Sequence, residues 1–92
     1  MAKCKFIAMY QATNGTSIYG DPKLIAMTEV LTKRYLNEQG NGGTVGQYFN
    51  QGDGRISIPI EYDGTLEEAK RILVNNFSPI VNVTFRGEQY MG

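Results

Sequence analysis

Any chemistry in this chain has to be built without histidine: its 92 residues include no His, no Trp and one Cys, Cys4. General acid–base work near neutral pH falls most often to His, and zinc and other transition-metal sites are assembled from clusters of His and Cys. A Ser-His-Asp triad, a Cys-His pair and a Cys₂His₂ finger are therefore excluded. What is left is a carboxylate pair, a Lys or Tyr acting as acid or base, or a hard-cation site.

A carboxylate pair at fixed separation can cleave a glycosidic bond, and a denser cluster can hold a hard cation. Asp53, Glu61 and Asp63 are spread over one expected hairpin and its exit, without calcium-loop spacing. Glu67 and Glu68 fall in the first turn of an expected helix, where the macrodipole alone favours acidic side chains. All five read as solvated surface. The stretch Gly40-Asn41-Gly42-Gly43-Thr44-Val45-Gly46 has the composition of a phosphate cradle, because glycines let backbone N–H groups approach an anion. Phosphate loops run from a strand into a helix, however, whereas this one runs from a helix into a strand and lacks the Walker-type Lys. It reads as a flexible connector, and no pattern in the chain implies a metal or a cofactor.

Nine acidic residues balance nine basic ones, so a global attraction to nucleic acid or anionic membrane is absent and only local patches can act. Lys33-Arg34 lie late in the first expected helix, where the dipole favours cations; Lys70-Arg71 sit midway along the second, within reach of Glu67. Arg55 and Arg86 fall on the expected polar face of strands, beside Ser57, Asn82 and Thr84. Such a cluster on a flat sheet can bind phosphate or a partner's backbone, although antiparallel sheets also commonly leave one face to water. Tyr19, Tyr48 and Tyr90 are the tyrosines least tied to a core stripe, and Tyr among Asn and Gln is a composition also found in recognition surfaces. Asn14-Gly15-Thr16 and Asn82-Val83-Thr84 match the glycosylation pattern, but Met1 to Lys5 lead into too short an apolar stretch for a signal peptide. A soluble, cytoplasmic protein with a free thiol is the expectation.

These side chains must be positioned by one small domain over residues 1–92, since a chain of this length has room for a single core. Cys4 to Tyr10 is a short apolar run closed by the turn-prone Thr13 to Thr16, which suits a strand. Phe6 and Tyr10 share one parity on it and Ile7 and Met9 the other. The ordinary burial of large apolar residues favours Phe6 and Tyr10 as core, and facing outward they would offer stacking surfaces. Asp21-Pro22 opens a helix over roughly residues 22 to 39, with Leu24, Met27, Thr28, Leu31 and Tyr35 on its apolar face, and Gly40 closes it in the left-handed conformation.

Thr44 to Asn50 and Arg55 to Tyr62 read as a hairpin turning at Asp53-Gly54, with Ile56, Ile58, Ile60 and Tyr62 alternating inward. Thr65-Leu66-Glu67-Glu68 has the spacing of a capping box and starts a second helix whose buried stripe is Leu66, Ala69, Ile72, Leu73 and either Asn76 or Phe77. Ser78-Pro79 stops it before a last strand carrying Val81, Val83 and Phe85 on one face and Asn82, Thr84 and Arg86 on the other.

The resulting order, β-α-β-β-α-β, is an α+β class and resembles the ferredoxin-like split β-α-β fold, two layers with both helices on one face of an antiparallel sheet. That fold puts its third strand in the middle of the sheet, where Pro59 cannot donate a ladder hydrogen bond. The sequence therefore requires either a bulge at Pro59 or an edge position for its strand. RNA-recognition domains of this topology carry aromatics on the outer face of the third strand; here Arg55, Ser57, Pro59 and Glu61 stand there instead.

In size, near-neutral polar composition and lack of a catalytic constellation, the chain resembles the small phage-encoded proteins that block host defence, such as the anti-CRISPR proteins that sit on type I surveillance complexes. The resemblance implies a non-enzymatic inhibitor in the host cytoplasm that occludes a protein or ribonucleoprotein partner. Arg55, Arg86, Lys33, Arg34, Asn82 and Tyr48 would contact that partner, filling the path of target DNA or touching the guide RNA backbone. A second reading is an oligomeric small-ligand or nucleotide-binding module whose site lies between the sheets of two protomers. A third, an isomerase-like enzyme using Tyr, Lys or carboxylates, needs a titratable group with a shifted pKa inside a pocket.

Overall fold

A computed structural model describes residues 3–13, 17, 18, 20–50, 52, 54–77 and 81–90. Along the chain lie β1 (Cys4–Ala12), α1 (Pro22–Gln39), β2 (Gly43–Val45), β3 (Phe49–Asn50), β4 (Ile56–Tyr62), α2 (Leu66–Phe77) and β5 (Val81–Tyr90). The strands form one antiparallel sheet in the order β2-β4-β1-β5, with β3 pairing the same edge of β4 as β2. Taken together, β2 and β3 are one edge strand broken at residues 46–48. With that strand counted once, the order is that of the ferredoxin-like arrangement, and the α+β class read from the sequence holds. Ser78-Pro79, Asn14 to Thr16 and Asp53, given turn or stop roles above, lie outside the described residues.

Local chemistry explains where the helices begin. Asp21 Oδ1 accepts from the backbone N–H groups of Lys23 and Leu24 at 3.1 and 3.2 Å, with Pro22 following at the first helical position. Thr65 Oγ1 accepts from the N–H of Glu68 at 3.1 Å. The reciprocal half of the expected capping box is absent, because the Glu68 carboxylate accepts from the Tyr62 hydroxyl instead.

Both helices cover one face of the sheet. Cys4, Phe6, Ala8 and Tyr10 of β1 point under them and are fully buried together with Ile56, Ile58, Ile60 and Tyr62 of β4. Phe6 and Tyr10 are therefore core. Tyr10 stands edge-on to Phe77 at 5.2 Å and Phe77 edge-on to Tyr35 at 5.5 Å, an arrangement that suits the ring quadrupoles. The buried stripe of α1 is centred on Ile25, Thr28, Thr32 and Leu36, whereas Met27, expected on it, is exposed. The shift is a fraction of a helical turn and puts two threonines against the sheet.

Those threonines are accommodated by a polar chain. Thr28 Oγ1 donates to the Leu24 carbonyl and Thr32 Oγ1 to the Thr28 carbonyl, both at 2.7 Å. A hydroxyl has one proton, so Thr32 must be the acceptor in its 2.7 Å bond with Tyr10, and Tyr10 the donor. Burial raises the Tyr10 hydroxyl well above the usual tyrosine range, so it keeps its proton.

Pro59 sits inside the central strand β4, opposite Ile7. Neither solution required by the sequence is used; the adjustment is in the neighbouring strand. In an extended chain a residue's nitrogen and carbonyl point to the same side. The Pro59 carbonyl accepts from Gly46 N–H at 2.8 Å, so its nitrogen also faces the broken edge strand. The missing donor thus falls where β2 and β3 are interrupted. Gly46 lies so close that an added Cβ would come within 2.8 Å of Pro59 Cγ.

Thr32→Val leaves the Tyr10 hydroxyl buried without an acceptor and should cost about 1–3 kcal/mol, whereas Tyr10→Phe should cost about 1 kcal/mol and the pair less than the sum. Because the folded Tyr10 pKa is raised, its contribution is complete below the unfolded value of about 10 and declines as pH rises beyond it. Urea denaturation across alkaline pH should show stability falling above about pH 10, less steeply in Tyr10→Phe.

Candidate functional site

The six residues expected to contact a partner do not form one surface. Lys33 and Arg34 project from α1, on the helical side of the sheet. Asn82 and Arg86 lie on β5 and share the open face with Thr84, since Gln11, Ile7 and Met9 are their respective partners on β1. Arg86 is level with Ile7 and Pro59, whereas Arg55 precedes the Ile56 that pairs with Tyr10. The two arginines are therefore four residues apart along the strands, roughly 13 Å, as well as two strands apart.

The expected polar cluster on the open face is also divided. With Phe6 and Tyr10 inward, Ile7 and Met9 must face outward, and with Pro59 they place a half-buried apolar strip between the polar residues of β5 and those of β4. Ser57 is fully buried and, like Arg55, already engaged in an interaction.

The helical side brings the other candidates together. A groove of about 560 Å³ between α1 and the broken edge strand is lined by Glu29, Val30, Lys33, Arg34, Asn37, Val45 and Gly46. A second of about 390 Å³, lined by Pro22, Ile25, Ala26, Glu29 and Tyr48, continues it along the helix. Glu29 is common to both, so the two form a furrow that places Tyr48 towards one end and Lys33 and Arg34 towards the other. Arg34 Nε donates to Glu38 Oε1 at 3.0 Å, one helical turn on. Sequence reasoning missed Val30, which is 63% exposed over this groove. Its signal was a β-branched apolar residue in a helix, off the buried stripe.

The glycine-rich stretch after α1 is packed, in contrast to the flexible connector expected. Gly42 N–H donates to the Leu36 carbonyl, Asp63 N–H to the Gly42 carbonyl, both at 2.9 Å, and Asn41 N–H to the Tyr62 hydroxyl at 3.0 Å. Gly40 is extended rather than left-handed; that conformation belongs to Gly42, with φ of 78°. Gly40 is required for space, because a Cβ there would lie 2.1 Å from the Tyr62 hydroxyl oxygen. The N–H groups of Asn41, Gly42 and Gly46, which could have cradled an anion, are turned instead to the protein.

Among the described residues, the groups with shifted pKa values lie in the core. Burial raises the Cys4 thiol, and burial followed by the Glu68 hydrogen bond raises Tyr62. Neither lines the furrow, and the isomerase reading gains no residue from them. Several charges are paired: Lys3 with Glu61 and Asp63 at 3.8 Å each, and Lys70 with Glu88. Lys70 also lies over the Phe85 ring. Among the described residues no group of three or more His, Cys, Asp or Glu is placed to hold a metal, and no helix is long and apolar enough to cross a membrane. Tyr19 and the side chain of Tyr90 lie outside the described residues. Comparison with known protein families, characterised proteins and solved structures finds no match for this chain.

Gly40→Ala should cost about 1–3 kcal/mol through overpacking against Tyr62. Removing the hydroxyl by Tyr62→Phe should relieve part of it, so the double variant should lose less stability in urea than the two single variants added together.

Proposed function

We propose that this chain is a non-enzymatic binding protein that occludes a protein or nucleoprotein partner, with the furrow along α1 as its contact surface. The observation that carries the reading is the exposed Val30 beside Lys33 and Arg34 over a concave floor of Val45 and Gly46. An apolar anchor ringed by charge is the composition of an interface centre, and the two cations add attraction for an acidic or phosphate-bearing partner.

The class resemblance names the first partner to test, a guide-loaded type I surveillance complex in the bacterial cytoplasm. There Lys33 and Arg34 would occupy the path of target DNA or lie against the guide RNA backbone, and the body of the domain would exclude the duplex. The furrow's volume also falls within the range of small-molecule sites, which supports the ligand-binding alternative.

A tagged pull-down from a lysate with an active type I system, scored by mass spectrometry and co-purified RNA, tests the reading. Wild-type protein should recover the complex. Val30→Asp with Lys33→Glu should reduce recovery about tenfold or more, as expected when an anchor and its charge are removed, while Arg55→Ala with Arg86→Ala should not. The reverse ranking would move the site to the open sheet face, and recovery of the chain without the complex would reject this partner.

A further inference from the structure

The hydrogen-bond direction set at Pro59 can be carried across the sheet to its far edge. Because Pro59 points to the broken strand, Ile58 and Ile60 point to β1 and bond Ala8 and Phe6. The alternate residues Ile7, Met9 and Gln11 therefore turn to β5, where they meet Arg86, Thr84 and Asn82. The remaining residues of that strand, Val81, Val83 and Phe85, direct their N–H and C=O groups away from the sheet, and no described strand pairs them. The run is regular from Val81 to Arg86 and ends at a bulge, where Gly87 (φ 65°) and Glu88 together oppose Phe6. A six-residue edge of this type, with one charge in it, is a template for another strand.

An exposed apolar side chain, Val74, lies above that edge. On α2, Ile72 and Asn76 face α1: the Ile72 side chain is close to Gly40, and the Asn76 amide pairs with Gln39 at 2.8 Å. Lys70 faces β5 through Glu88 and Phe85. Val74, one turn beyond Lys70, shares that outward side and is 41% exposed. Lys70 reaches the level of Phe85, and Phe77 stacks on Tyr10, whose partner is Val83. Val74 therefore stands near the level of Thr84.

We infer that the outer edge of β5 pairs antiparallel with the same edge of a second copy of this chain, about a two-fold axis through Thr84. That register places Thr84 opposite Thr84 of the second copy, Val83 opposite Phe85 and Asn82 opposite Arg86. These are hydroxyl, apolar–aromatic and hydrogen-bonding pairs, with no like charges opposed. Val83 and Phe85 supply their free backbone groups to each other, and the two Val74 side chains meet over the axis. The sheets become continuous, and the Arg86 and Asn82 residues of both copies form one polar row on the open face. The dimer uses the edge opposite the α1 furrow and does not depend on the partner proposed for it.

Light scattering and cysteine crosslinking of the full chain test this inference. The wild type should rise from one to two chain masses between micromolar and millimolar concentration. Val83→Pro removes an N–H that the monomer does not use, and Val74→Glu places like charges at the axis; each should weaken the dimer about tenfold or more while leaving the circular dichroism unchanged. Should Val83→Pro fail to fold, Val74→Glu alone decides, since that position is exposed. Thr84→Cys should form an interchain disulfide readily, its Cα atoms being about 4.5 Å apart in a non-hydrogen-bonded pair, whereas Asn82→Cys, roughly 13 Å from its counterpart, should not. A single-chain mass throughout, a dimer indifferent to Val74→Glu, or equal crosslinking at positions 82 and 84 would overturn it.

Discussion

A proline in the middle of a sheet imposes a constraint that the rest of this fold obeys. Pro59 has no N–H to give, so one side of β4 must meet a strand that does not need it. The chain meets this by breaking the edge strand at residues 46–48, where Gly46 allows close approach and donates to the Pro59 carbonyl. That choice fixes which residues of β4 bond β1, then which residues of β1 bond β5, and so which backbone groups are left at the far edge. It also helps shape the α1 furrow, whose floor includes Val45 and Gly46 at the end of β2.

Between sheet and helices the core is small and uses polar atoms sparingly. Two hydroxyl networks reach into it, Tyr10 to Thr32 on α1 and Tyr62 to Asn41 and Glu68 at the corner joining α1, β2 and α2. No buried side-chain polar atom among the described residues lacks a partner. Such networks are more specific than apolar packing, since each hydroxyl can be satisfied in one arrangement of its helix and costs energy in the others. They fix the position of α1 on the sheet, and hence the geometry of the furrow.

Much of this was legible in the sequence because it is local. Asp21-Pro22 marked the start of α1, Thr65 the cap of α2, and the alternation of Ile56, Ile58, Ile60 and Tyr62 the buried face of β4. What could not be read depended on distant neighbours. Gly40 looked like a left-handed helix end, but its need for space comes from Tyr62, twenty-two residues on. The candidate surface was split for the same reason. Lys33 and Arg34 belong to the helical layer and Arg86 and Asn82 to the open sheet, and residue spacing carries no information about which layer faces where. Pro59 was recognised as an exception, yet its solution lay in a different strand.

The backbone direction set at Pro59 reaches β5. Residue-resolved amide hydrogen exchange at low protein concentration tests it directly. Exchange should be slow at Thr84, whose N–H is held by Met9 within the sheet, and fast at Val83 and Phe85, whose N–H groups face away from it. Protected amides at Val83 and Phe85 with a fast-exchanging Thr84 would contradict it, because β5 would then be turned by one residue relative to β1.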